Sequence, residues 1–159
     1  MTLFSYKSNA LIAMTQILFY SGSNNKLQTT CRLCAKAIQQ HMRVLIYVPA
    51  SKLLDQLDQL LWTFSSTSFI PHCNILDDAK LVSATPVILS GQIQVNSPFD
   101  VLINLHDQSP HLFDQFDRLI EIAGTSHEDK LAARERYRFY KNAGYEIQHY
   151  HLNDQSEPH

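Results

Sequence analysis

The residues of this sequence best suited to chemistry lie between Thr125 and Gly144. Lys130, Arg134, Tyr137, Arg138 and Lys141 recur at helical spacing and fall within an arc of roughly 100°. Lys130 to Lys141 holds five basic residues against one acid, Glu135, in a chain whose formal net charge is −2. Arg134 and Arg138 stand one turn apart, so both forks can grip carboxylates or phosphates. Tyr137 lies between them and offers an apolar ring with a polar tip. The chemistry is anion binding, either of a peptide carrying carboxylates and an aromatic residue or of a nucleic-acid strand. Charge count does not separate those ligands, and a solvated basic face is the plain alternative.

Other reactive groupings do not assemble in the sequence. The first βα turn, YSGSNNK, lacks both GxGxxG and GxxxxGK[ST], so it has no phosphate-cradling backbone. Asp77 and Asp78 are neighbours in a loop, whereas a two-metal site draws carboxylates from separate elements. Cys31 and Cys34 form a CxxC on a helix, where the two share a buried face, and no second ligand pair follows. The eight histidines are scattered, and His149 and His151 form an HxH on one strand face without an evident third ligand. There is no GxSxG elbow. No catalytic residue, metal or cofactor is assigned, and the chain is not expected to be an enzyme by itself.

Positioning the basic face requires a helix with specified ends. Thr125 or Ser126 can cap it, Glu128 and Asp129 put acid in its first turn, and Lys141 and Gly144 mark its end. Ala132, Phe139 and Ala143 are expected to face the core. Strands are expected at 15–20, 44–48 (VLIYV), 86–90 (PVILS), 101–105 (VLINL), 118–123 (RLIEIA) and, as a final edge strand, 145–151. SGSNNK is expected to be a polar turn. A helix starts at Leu27, and another opens at Ala50 or Ser51 with a stripe through Leu53, Leu57, Leu61 and Phe64. Trp62 lies off that stripe. HLFDQF (111–116) is expected to be a short helix. Strand, helix, strand from Thr15 to Val48 implies a parallel pair. The pattern is α/β, a single Rossmann-like three-layer domain with a mostly parallel central sheet. Phe69, Ile70 and Pro71 are bulky for a loop, so they are either tucked under it or exposed for a partner.

At 159 residues, 45% hydrophobic and 18% charged, the chain reads as one ordinary globular domain. Its charge is too near zero for bulk binding to DNA or membranes. No apolar run approaches the ~20 residues of a membrane span. The N-terminus does not read as a signal peptide. Met14 is a natural start, which makes residues 1–13 an extension outside the fold, 14–152 the domain and 153–159 a polar tail. Three cysteines fit a reducing cytoplasm.

Two segments, LDQLLWTFSSTSFIPH (57–72) and KLAARERYRFYKNAGYEI (130–147), resemble the most characteristic segments of the chi subunit family of bacterial DNA polymerase III. The resemblance runs from about Met14 to Leu152. It implies a non-catalytic accessory subunit in DNA replication that pairs with the psi subunit, which tethers it to the clamp loader. It also implies binding of the acidic C-terminal tail of the single-stranded-DNA-binding protein, ending in Pro-Phe, at Lys130, Arg134, Tyr137 and Arg138. The psi-facing aromatic surface falls on Trp62, Phe69 and Pro71, and an accessory helicase uses an overlapping surface. DNA contact is mainly indirect. No function carries over to 77–85, and bulky Phe139 is expected to pack inward. The competing reading is direct binding of single-stranded nucleic acid by the same basic face, which needs aromatic platforms along it. Tyr137 and Tyr140 stand about 60° apart on the helical wheel, so only one of them clearly shares the basic arc. A nucleotide-using enzyme is disfavoured by the missing glycines.

Overall fold

The computed structural model describes residues 14–65, 70–93 and 99–152. In chain order the elements are β1 (Gln16–Ser23), α1 (Lys26–Gln39), β2 (Val44–Tyr47), α2 (Ser51–Thr63), β3 (His72–Asn74), α3 (Ala79–Ala84), β4 (Val87–Ser90), β5 (Val101–Asn104), a 3-10 turn at Phe113–Gln115, β6 (Arg118–Gly124), α4 (His127–Asn142) and β7 (Ile147–His151). The strands form one seven-stranded sheet in the order β3-β4-β2-β5-β6-β1-β7. Every neighbouring pair is parallel. β1 and β2 are parallel as expected but not adjacent, because β5 and β6 lie between them.

The continuous apolar runs are buried on both sides, which is why they do not alternate with polar residues. Leu18, Ile46, Leu89, Ile103 and Ile120 point to one face and pack with α1 and α2 around Cys31, Cys34, Leu57 and Leu61. Ile17, Phe19, Leu45, Ile88, Leu102 and Leu119 point to the other and pack against α4, α3 and the 3-10 turn through Tyr140, Ala133, Val82 and Phe113. The result is three layers. β7 stands at one edge, as expected for 145–151.

Four local features differ from the sequence reading. β1 runs on through Ser23, so the polar turn is shorter, and a register shift between Tyr20 and Ser23 accommodates Gly22 at φ +76°. β3 and α3 fall where no element is expected; a three-residue strand and a six-residue helix are too short to show a period. HLFDQF forms only a 3-10 turn. α4 is rotated about 70° from the expected face. Its buried residues are Ala133, Arg136 and Tyr140, while Phe139 is 51% exposed. The reason is Glu121, a carboxylate fully buried on β6 that draws Arg136 inward.

Candidate functional site

α4 follows β6 closely, and both its ends are fixed by its own sequence. Ser126 accepts the Asp129 N–H at 3.1 Å as the N-cap. Asp129 turns back to accept the Gly124 N–H and pairs with Lys26 at 3.2 Å, tying the helix start to α1. At the other end Gly144, at φ +91°, donates to the Lys141 carbonyl, and Tyr145 donates to the Tyr140 carbonyl. Those two bonds are a Schellman stop.

The inward face is clamped by a buried polar cluster. Glu121 accepts from Arg136 Nε at 2.8 Å, from Asn104 Nδ2 at 3.0 Å and from the Tyr140 hydroxyl at 2.5 Å. Arg136 also donates to the Asp107 carbonyl at 2.9 Å. Burial pushes the Glu121 carboxyl above its ordinary range, while the Arg136 charge and the three donors pull it back. Burial, and then the Glu121 charge, push the Tyr140 phenol up. Tyr140 is therefore a core ring bound to a carboxylate and cannot serve as a stacking platform for bases.

With Arg136 turned inward, the outer face of α4 divides. Arg138 is held by Glu135 at 2.9 Å. Among the described residues Lys130 and Arg134 form no ion pair. Both open onto a cavity of about 560 Å³ at the carboxyl ends of β6, β1 and β7, where α/β sheets commonly receive ligands. Tyr137, half buried, meets Phe19 edge-to-face with ring centroids 5.4 Å apart and walls the cavity. Gly22, Gly124 and Ala133 leave it open, and no carboxylate is among its described lining residues. Thus Lys130, Arg134 and Tyr137 come together and Arg138 does not. It lies about 40° further round the helix than Arg134, away from the sheet. Ser21, His149 and His151 line the same cavity, and the HxH spacing was their only signal in the sequence. The arrangement can hold an anionic group with an adjoining apolar one.

The second group of residues lies at the other edge of the sheet. Trp62, near the end of α2, is 53% exposed, with its ring edge-to-face on His72 at 5.0 Å. His72 is buried, and its two ring nitrogens face the Ile70 carbonyl at 2.6 Å and an Asp58 carboxylate oxygen at 3.1 Å, which fixes the ring under Trp62. Pro71 is exposed and Ile70 is buried. Phe69 lies outside the described residues. Leu76, 88% exposed, and Leu81, on α3 against the other face of the sheet, are further exposed apolar residues near this edge.

Cys31 and Cys34 are fully buried free thiols in the core. Among the described residues no three His, Cys, Asp or Glu side chains converge as a metal set. None of the described helices is long and apolar enough to cross a membrane.

The family described as "DNA polymerase III chi subunit, HolC" matches residues 14–148. The DNA polymerase III subunit chi of Pseudomonas aeruginosa is 33% identical over 143 residues, covering 87% of this chain and 98% of the relative. That of Escherichia coli K12 is 29% identical over 120 residues, covering 76% and 81%. Among solved structures, the C-terminal domain of Saccharomyces cerevisiae Dbp5 bound to Gle1 and IP6 superposes with a TM-score of 0.59. It is 10% identical and covers 91% of this chain and 94% of that chain. Another structure of the C-terminal domain of the DEAD-box protein Dbp5 gives 0.55 at 10% identity, covering 90% and 93%. Those two likenesses are of fold alone.

Proposed function

We propose an adaptor function for this chain, which belongs to the DNA polymerase III chi subunit family. Membership makes it an accessory component of DNA replication. In our reading the α4 cavity takes the acidic C-terminal tail of the single-stranded-DNA-binding protein. Arg134 and Lys130 hold its carboxylates, and Tyr137 with Phe19 receives its terminal aromatic ring. The opposite edge, Trp62 and Pro71 with Phe69 beside them in sequence, meets the psi subunit and through it the clamp loader. An accessory helicase competes for overlapping surface. The chain contributes no catalysis of its own.

The observation that carries this reading is the pairing, among the described residues, of two cations without carboxylate partners with an aromatic wall in a cavity whose described lining holds no acid. A peptide ending in an aromatic carboxylate matches both features, whereas a bare phosphate strand uses only the first. Direct binding of single-stranded DNA loses support because Tyr140 is buried, leaving one ring on the basic face. Fluorescence anisotropy of a labelled acidic peptide ending in Pro-Phe, with and without that Phe, is the test. Saturable binding that needs the Phe and weakens with salt is the expected result. Equal binding of both peptides, or of neither, would refute it.

A further inference from the structure

The cavity has a second wall, and its two histidines, His149 and His151, lie just past the family match, which ends at residue 148. The Ser21 hydroxyl, near the end of β1, lies 2.7 Å from His149 Nε2 and 3.2 Å from His151 Nδ1 on β7. All three residues line the cavity that Lys130 and Arg134 enter from α4. We infer that His149 and His151, bridged by Ser21, form a second, proton-switched arm for the carboxylates of the peptide that docks there. The inference rests on the docking reading above.

A serine hydroxyl carries one hydrogen. With both imidazoles neutral, Ser21 donates to one ring nitrogen and accepts from the other. When both rings are protonated, both donate to Oγ, and the Ser21 hydrogen turns to a new acceptor. A carboxylate in the cavity supplies that acceptor.

Among the described residues the charged and titratable groups around the pair come from α4 and, beside His151 in the neighbouring pocket, from Lys36 and Arg118 with the Tyr20 and Tyr150 phenols. Facing the pair from α4 are Lys130, Arg134 and the Tyr137 ring, whose centroid is 6.3 Å from that of His149. Facing it from β1 and the turn after it are Ser21, Phe19, Gly22 and Asn24, all uncharged. Behind Gly124 the Lys26–Asp129 pair is self-compensated. A carboxylate bound beside the two imidazoles favours their protonated forms. Binding therefore takes up protons, and affinity rises as pH falls through the imidazole range.

The test uses the full chain and the Pro-Phe peptide. The expected affinity at about pH 6 is roughly fivefold tighter than at about pH 8, since uptake of one proton allows at most tenfold per pH unit. Calorimetry of the unmutated protein in two buffers of different ionisation enthalpy should show net proton uptake. In His149→Gln together with His151→Gln, both exposed edge positions, the ratio should fall below about twofold. Saturable binding with no pH dependence and no proton uptake would overturn this inference alone. So would a pH dependence that survives intact in the double variant. No binding at any pH would overturn the docking reading and this inference with it.

Discussion

Replacing Glu121 by Ala tests the account of why α4 faces as it does. The Glu121 side chain is fully buried and Arg136 is 2% exposed, so the change leaves a guanidinium in the core without its counter-charge. It also strips partners from the Tyr140 hydroxyl and Asn104 Nδ2. Breaking a buried pair by removing one member costs about 3–5 kcal/mol. For a domain of this size that lowers the melting temperature by about 6–20 °C. Among the described residues Arg136 Nη2 is buried with no partner, so the native pair is itself incompletely satisfied. Replacing both members, Glu121→Leu with Arg136→Met, should therefore cost less than Glu121→Ala. Urea unfolding of single and double variants gives the cycle, and the coupling should be at least about 2 kcal/mol. A Glu121→Ala cost below about 1 kcal/mol, or simple additivity, would refute the claim that this pair sets the helix face.

Gly22→Ala should destabilise by about 1–3 kcal/mol, because alanine is strained at a left-handed φ. Its Cβ would also stand 2.5 Å from the Leu152 carbonyl oxygen, so the urea midpoint should fall and peptide binding with it. Burial pushes the Cys31 thiol from 9.0 up to about 12, and Cys34 rises as well. Thiols whose folded values are raised add stability that is full below about pH 9 and is lost as pH climbs toward 12. Melting temperatures across that window should fall, and a flat profile would contradict the burial. Trp62→Ala should leave binding of the Pro-Phe peptide unchanged and weaken capture of psi by tenfold or more, about 1.4 kcal/mol, as read by a psi titration.

The layered sheet was legible because VLIYV, PVILS and VLINL are continuous apolar runs, the mark of strands covered on both faces. The ends of α4 were equally legible, since Ser126, Asp129 and Gly144 act within one turn of where they sit. Its face was not. Arg136 reads as one more surface cation until Glu121, fifteen residues earlier on a neighbouring strand, is seen to pull it inward. The lone acid within RLIEIA was the available signal. The three cavity residues Lys130, Arg134 and Tyr137 could be named from spacing alone. The exclusion of Arg138 could not, because it follows from where β1 and β7 run. The contact of Ser21 with His149 joins residues 128 positions apart, and only the order β6-β1-β7 brings them together.

The most direct test of the central claim compares Arg134→Ala with Arg138→Ala in binding the Pro-Phe peptide. Both changes remove one positive charge from the same helix, but only Arg134 opens onto the cavity. Arg134→Ala should cost about 1–3 kcal/mol, some 5- to 150-fold in a micromolar dissociation constant, as expected for loss of a charged hydrogen bond. Arg138→Ala, which breaks only an exposed pair with Glu135, should cost less than about twofold. Equal losses in the two variants would mean that net charge alone attracts the peptide and would contradict the cavity as its site.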